Sequence, residues 1–598
     1  MDPFQMVRMG ISSLVVDRRN SRFSSASLHT IAGMERRTAG ELWREALENA
    51  PRKAAYLEER PDGWQPVSWQ EAGARVDAIA RGLLAKGVRK GDAVAVLSRT
   101  RLEWLLLDWA IMSIGAVVVG LYPTSSAGEC EYILGHSEAV LAFAEDDEQT
   151  RKLVSVRRSL PALREVVPFD RLEDLEAAGR AAGELRPEET VAEDDLATLI
   201  YTSGTTGPPK GCMLTHRNLV TAALRVQNHM QEPDDVVLLF LPLAHSFGRL
   251  AHQAAAHHGT TLALVSDVAR VPEALRRVRP TMLPAVPRVY EKVHANALGE
   301  IERAGGLRSR IGLWALEVGA AAGRLRRSGR PVPRGLALKE RIADRLVFAK
   351  VRERLGGRLR LGVSGAAPLS EEVMEFFHAL GVPVIEGYGL TETSSSTTVN
   401  QPDAFRIGSV GRAVPGTELR LDEDGEILVR SETVFTGYYK DPEATAAAFT
   451  DDGWFRTGDV GEIDADGFVR ITDRKKDLIV TAGGKNVAPQ NLENALKASR
   501  FVSQAIVVGD RRPYVAALLT LDEAEVAASG RDREEIVREV VDDVNRDRMR
   551  AEQIKRFVIL PREFSLEAGE VTPTLKLRRR VIQENFASEI EALYSAPG

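Results

Sequence analysis

Apolar and polar positions alternate between two rhythms along this chain. Residues 69–86 carry apolar side chains three and four apart, the period of an amphipathic helix. Residues 92–97 follow the Gly91-Asp92 turn as a short apolar run, the pattern of a buried strand. The alternation continues with a helix over 102–114, a strand over 116–120, a helix over 128–136 and a strand over 139–143. It returns later as a strand over 358–363, a helix over 370–380 and a strand over 383–386. Strands that alternate with helices predict doubly wound parallel sheets, here two of them in one large domain. Residues 196–200 read as another buried strand and 216–227 as a helix. Residues 146–193 are polar and read as helical, and residues 300–357 are helical and rich in Arg, Leu and Ala. The Arg/Glu spacing in that second stretch predicts a solvated helical face rather than a nucleic-acid stripe.

The texture changes between Asp403 and Arg470. Short β runs are separated by Asp424-Gly425, Asp452-Gly453 and Asp466-Gly467, which predicts a small antiparallel β-barrel or meander. The charged, non-periodic run at 473–477 then reads as a hinge, and residues 478–598 as a small α/β C-terminal domain. The expected fold class is therefore α/β: a large N-terminal domain of two doubly wound sheets plus the β-barrel, over 35–472, and a small mobile α/β domain behind the hinge. Residues 1–34, Ser- and Arg-rich, read as a disordered extension.

Bulk numbers narrow the function classes. At 598 residues two or more domains are expected. The formal charge of −6 offers no global basic field, so no nucleic-acid partner is expected. Two cysteines, Cys130 and Cys212, form no metal-ligand spacing, and a reducing, cytoplasmic compartment follows. The most apolar stretch, 105–121, is broken by Asp108 and reads as a helix end running into a strand rather than a membrane span.

The chemistry concentrates in a few motifs. Residues 201–211, Tyr-Thr-Ser-Gly-Thr-Thr-Gly-Pro-Pro-Lys-Gly, pack hydroxyls at Thr202, Ser203, Thr205 and Thr206, glycines at Gly204 and Gly207, and Lys210. Glycines free backbone N–H groups to turn inward and the lysine adds a point charge, so the loop can wrap a polyphosphate. Pro209 precedes Lys210 and Gly211 follows it, unlike the Gly-Lys-Ser/Thr end of ordinary phosphate loops. Residues 386–392, Glu-Gly-Tyr-Gly-Leu-Thr-Glu, set Tyr388 between Gly387 and Gly389, where a flat ring can lie against backbone; Thr391 and Glu392 follow. A lone carboxylate beside phosphates makes sense when it holds Mg²⁺. Gly365, Ala366 and Ala367 end another strand and leave room for a purine. Asp459, after a Thr-Gly turn, can accept both ribose hydroxyls.

Together and in this order, these motifs resemble the adenylate-forming superfamily of acyl-CoA synthetases, luciferases and adenylation domains. The resemblance covers most of the chain. It implies that Tyr388 stacks on adenine, that Thr391 contacts the α-phosphate, that Glu392 binds Mg²⁺ and that Arg474 joins Asp459 at the ribose. It implies a catalytic role for His245 in Leu-Pro-Leu-Ala-His-Ser-Phe-Gly-Arg and for Lys576 near the C-terminus. It places a pivot at Lys476, and the Gly483-Gly484 loop at the CoA channel in a second step. Arg249 stands where some long-chain synthetases carry an aromatic gate, and its role stays open. The Thr574-Leu575 variant before Lys576 and the run at 473–489 resemble the long-chain fatty acyl-CoA synthetases. The implied reaction joins a fatty acid to CoA with ATP through an acyl-adenylate. A fatty acyl-AMP ligase loading a carrier protein shares every motif; a luciferase-like oxygenase and a non-catalytic lipid-binding protein are further alternatives. A hydrophobic substrate also invites peripheral membrane contact. Oligomeric state is not readable.

Overall fold

The computed structural model describes residues 37–183, 190–202, 208–226, 230–546, 548–572 and 576–595. The expected extension at 1–34 lies outside these residues, as do Thr574 and Leu575. The chain is α/β, with a large N-terminal domain and a smaller C-terminal one.

Two sheets form the large domain. In the first, the parallel strands Leu196–Thr202, Val117–Leu121, Ala93–Leu97, Leu141–Ala144 and Glu165–Pro168 lie side by side in that order. Ala93–Leu97 and Val117–Leu121 are buried at every position. Helices cover both faces of a parallel sheet, so such strands read as unbroken apolar runs. The second sheet has six parallel strands at its centre: Val384–Tyr388, Leu361–Ser364, Met282–Ala285, Val236–Leu239, Thr261–Leu264 and Ala54–Arg60. Antiparallel strands close both of its edges.

Local signals fix the helix starts. Ser68 accepts the N–H of Glu71, whose side chain reaches back to the Ser68 N–H; Thr38/Glu41 and Ser126/Glu129 repeat this reciprocal cap. The predicted helix and strand over 102–120 are Leu102–Ser113 and Val117–Leu121. Among the described residues no helix is long and apolar enough to cross a membrane.

Two expectations shift. The polar stretch 146–193 carries helices at Asp147–Val156 and Leu172–Ala181, but between them Glu165–Pro168 adds an edge strand to the first sheet; its Val-Val pair suits a pleated surface, and proline is tolerated at an edge. Lys210 opens a strand, Lys210–Thr215, antiparallel to Leu196–Thr202, so a second strand rather than a helix follows the phosphate-type motif, and the helix His216–Val226 comes after it. The antiparallel part is a four-stranded meander, Glu418–Leu421, Glu426–Arg430, Phe455–Ile463 and Val469–Arg474. The C-terminal domain packs Val502–Val508, Val515–Leu521 and Ile554–Ile559 into one sheet under helices.

Candidate active site

A cleft of about 2410 Å³ opens at the carboxyl ends of strands from both large sheets. Open α/β sheets bind ligands at this edge. Its walls bring together Thr202, Lys210, His245, Gly365, Ala366, Ala367, Gly387, Tyr388, Gly389, Thr391, Glu392, Asp459, Arg474, Lys476 and Lys576. Ser203, Gly204, Thr205, Thr206 and Gly207 lie outside the described residues. Gly483 and Gly484 do not line the cleft; they sit in the exposed turn between Ile479–Val480 and Asn486–Val487.

The backbone is tightly held here. Ala366 has φ +72°, the left-handed region that non-glycine residues rarely enter. A Cβ on Gly389 would stand 2.3 Å from the Ser395 carbonyl oxygen, so only glycine lets the chain fold back at this point.

Three polar groups organise the floor. The Tyr388 hydroxyl donates to Asp459 Oδ2 at 2.7 Å, while Arg474 Nε lies 3.3 Å from Asp459 Oδ1. Asp459 and Arg474 are paired residues of adjacent strands. The Tyr438 hydroxyl donates to Glu392 Oε1 at 2.9 Å. Tyr438 lies on a two-residue strand paired with Lys210–Thr215. Lys210 Nζ sits 5.0 Å from the Tyr438 ring centroid and 3.6 Å from Asp441. The ring thus links the lysine and the carboxylate.

The C-terminal domain delivers Lys576 into this group. Burial, then the Arg474 guanidinium, push its ammonium from 10.5 down to about 8, against the attraction of Asp459 and Glu392. His245 caps the helix Ser246–His258, with Nδ1 accepting the Phe247 N–H at 3.2 Å. Burial, with Lys576 nearby, lowers it to about 3, so the imidazole is neutral and its proton sits on Nε2. Docking of the two domains is polar: Arg288 donates to the Ser503 carbonyl and hydroxyl, each at 2.8 Å, Arg303 meets Glu525 at 3.0 Å, and Arg500 meets Glu302 at 2.6 Å.

Glu392 forms no ion pair within 4 Å among the described residues, and one of its oxygens is left without the Tyr438 bond. A hard cation bound by one protein carboxylate and substrate phosphates fits this donor set. The carboxylates Asp422, Asp424 and Glu426 are each already engaged in an ion pair with Arg456 or Lys475.

Sequence comparison matches the chain to two family models: AMP-binding enzyme over residues 43–439, and AMP-binding enzyme C-terminal domain over 476–597. The chain belongs to the AMP-binding enzyme family. It is 42% identical over 562 residues to a long-chain-fatty-acid–CoA ligase of Mycobacterium bovis, covering 89% of this chain and 93% of that protein. Against a long-chain-fatty-acid–CoA ligase of Mus musculus it is 30% identical over 620 residues, covering 93% and 85%. In structure it resembles the adenylation domain of a carboxylate reductase from Mycobacterium chelonae, with TM-score 0.77, 26% identity and coverage of 96% and 93%. An anthranilate CoA ligase bound to anthranoyl-AMP shares the fold at TM-score 0.74 and 22% identity, covering 94% and 99%.

Three contacts of this AMP-binding enzyme have no local mark in the sequence. Tyr438 is one aromatic in a turn-rich stretch. Glu386 opens a motif but points inward: it accepts the Leu369 N–H at 2.8 Å, and burial raises it to about 8, so it is a neutral acid at pH 7. Arg249 is 1% exposed and pairs with Asp108, the residue that breaks the apolar 105–121 run. It also donates to Thr198 Oγ1 at 3.2 Å, and His252 Nδ1 lies 3.4 Å from Asp108 Oδ2. On the same helix Phe247, Leu250 and Ala251 line the cleft, whereas Arg249 does not. Arg249 is a buried anchor for the helix behind His245, not a gate. Cys212 is fully buried, and burial raises its thiol far above the ordinary range, which leaves it a packing residue.

Proposed function

We propose that this enzyme is an AMP-forming ligase that joins a long-chain fatty acid to CoA with ATP. The carrying observation is the entry of Lys576, from the C-terminal domain, into a cleft that already holds Glu392, Asp459, Arg474 and neutral His245. In the first step a carboxylate oxygen attacks the α-phosphorus of ATP and the bond to pyrophosphate breaks. In the second, the CoA sulfur attacks the acyl carbonyl and AMP leaves. Two anions must approach each other in the first step, so positioning and charge stabilisation dominate it.

Each residue has a place in that scheme. Asp459 and Arg474 take the ribose, and Tyr388 with the Gly365–Ala367 turn takes the adenine. Neutral Glu386 stiffens that turn through Leu369 without adding charge. Thr391, Lys210 and the 202–207 loop take the phosphates. Glu392 would hold Mg²⁺, which supplies positive charge between the phosphates. His245 offers an Nε2–H, and Lys576 its ammonium, to the acid carboxylate. Met230, Val237, Phe247, Leu250 and Met282 form an apolar arm of the cleft suited to an acyl chain. The names of the relatives favour CoA over a carrier protein as acceptor.

The pivot belongs at Lys476, within 473–477, between a domain of residues 35–472 and one of 478–598. Turning there would withdraw Lys576 and bring the Gly483-Gly484 turn to the cleft for the second step. The deciding experiment is fatty-acid-dependent ATP–pyrophosphate exchange followed by detection of the CoA thioester, over acids of graded chain length. Long-chain acids should support both. Exchange without thioester formation would favour a carrier-protein acceptor, and no exchange would reject the ligase.

A further inference from the structure

The helical segment 306–358 carries charge out of keeping with the chain. It holds fourteen Lys and Arg against four Asp and Glu, a net +10 in a protein of net −6. Part of this charge is spent in ion pairs, such as Arg326 with Glu340 and Arg352 with Asp344. Arg334, Lys339, Arg341, Arg345 and Lys350 are exposed, and among the described residues none of them forms an ion pair within 4 Å.

These five cations flank an apolar stripe. Helix Arg334–Ala343 runs through one wide π-helical turn, Asp344–Phe348, into helix Ala349–Arg354. Leu338, Ile342 and Leu346, spaced by four, follow one line along this arm and are 60%, 44% and 46% exposed. The other side is anchored: Ala343 and Phe348 are buried in the core. Of the three acids of this stretch, Glu340 pairs with Arg326 of the preceding helix and Asp344 with Arg352, while Glu353 is exposed near its end. The preceding helix, Gly306–Arg327, begins the same way, with Leu307 72% exposed and exposed Arg308 and Arg310 beside it.

We propose that this arm docks the enzyme on the surface of an anionic lipid bilayer, with Leu338, Ile342 and Leu346 dipping among the acyl chains and the flanking Arg and Lys held at the headgroups. An apolar stripe bordered by cations, low in overall hydrophobicity, is the pattern of an interfacial helix. Long basic side chains lie along apolar surface while their heads stay in water. Nucleic acid fits less well, because the arm exposes leucine and isoleucine between its cations and no aromatic ring on which a base could stack. The proposal does not depend on the ligase reading, since binding is read without turnover.

The test uses the full chain and cosedimentation with vesicles of phosphatidylcholine alone or with about 30 mol % phosphatidylglycerol, the lipid that supplies the negative surface potential. Binding is expected only to the anionic vesicles, with release on raising NaCl from about 0.05 to about 0.5 M. Arg341→Gln with Arg345→Gln should lower partitioning about 25-fold. Leu338→Ser with Ile342→Ser should lower it at least ~10-fold, by removing inserted apolar surface. Both variants should keep the circular dichroism spectrum and the pyrophosphate-exchange rate of the parent. Equal binding to neutral vesicles, or anionic binding that both variants leave unchanged, overturns the proposal. So does RNA binding that competes with vesicles while the leucine variant alters neither, which would make the face a polyanion patch.

Discussion

Replacing Lys576 tests how charge is delivered to the reaction. Its ammonium is held near pKa about 8, well below 10.5, by burial and by Arg474. The charged form is therefore lost as pH rises through about 8. If that form serves the first half-reaction, kcat/KM for ATP in pyrophosphate exchange must fall with it, because this ratio reports the free enzyme's ionisations. Between pH 7 and 9.5 the charged fraction drops about thirtyfold, and the rate should drop by the same factor. The sign of the stability effect is opposite. The unfolded chain binds the proton more tightly across pH 8 to 10.5, so this lysine makes the fold more stable as pH rises through that window. Loss of rate there is then not unfolding caused by Lys576. Lys576→Arg keeps its charge at every pH in the range, and should flatten the profile even if its rate is lower. Lys576→Ala should lose about 10²–10³ in exchange, in line with one charge contact of ~4 kcal/mol at an effective dielectric near ~20. Thioester formation from preformed acyl-adenylate should survive. An alkaline limb that persists in Lys576→Arg, or equal loss of both half-reactions in a folded Lys576→Ala, would refute the assignment.

Further expectations concern the frame around this lysine. Tyr438→Phe removes the hydroxyl bond to Glu392 and keeps the ring over Lys210; the Mg²⁺ concentration for half-maximal exchange should rise about tenfold with an unchanged melting temperature, and an unshifted titration would show that Tyr438 does not orient Glu392. Arg249→Met or Asp108→Asn leaves one buried charge unpaired and should cost about 3–5 kcal/mol in chemical denaturation, whereas Arg249→Met with Asp108→Leu should recover most of it. Strict additivity of the two losses would count against the pair as an energetic unit. Lys476→Pro fixes φ near about −65° at the inferred pivot, so exchange should persist while acyl-CoA formation is lost; near-normal overall turnover would move the pivot elsewhere.

Much of the fold is legible in the amino-acid sequence alone, and the reason differs from element to element. Ala93–Leu97 and Val117–Leu121 are legible because a strand covered on both faces must be apolar throughout. Cleft residues such as Tyr388 and Asp459 are legible because glycine stands beside each, and Glu392 because it closes the motif that holds Tyr388. The strand Lys210–Thr215 is not: Lys-Gly-Cys-Met-Leu-Thr has neither clean alternation nor an unbroken apolar run, and its partner decides its shape. Asp108 and Arg249 each stand out as a charge in an apolar neighbourhood, but 141 residues separate them. Periodicity reports which face of an element is buried, not which distant residue meets it. Tyr438 is hidden for the same reason, since its meaning lies in its contact with Glu392, 46 positions away.

The charges of the cleft also suggest why the two steps should alternate. Burial and, after it, Arg474 depress the pKa of both Lys476 and Lys576, so this arrangement crowds three cations together. Asp459 and Glu392 offset part of that repulsion from inside the cleft. The remainder falls to contacts outside it, chiefly Arg303 with Glu525, Arg500 with Glu302 and Arg288 with Ser503. Those pairs are partly exposed, and each is worth little on its own. A bound triphosphate adds negative charge where the cations gather and so favours closure. Departure of pyrophosphate removes most of that charge and leaves the repulsion, while only weak outer pairs oppose opening. Were the C-terminal domain to pivot at Lys476 as proposed, this linkage would let the first chemical step itself tip it toward the second orientation, with no separate trigger.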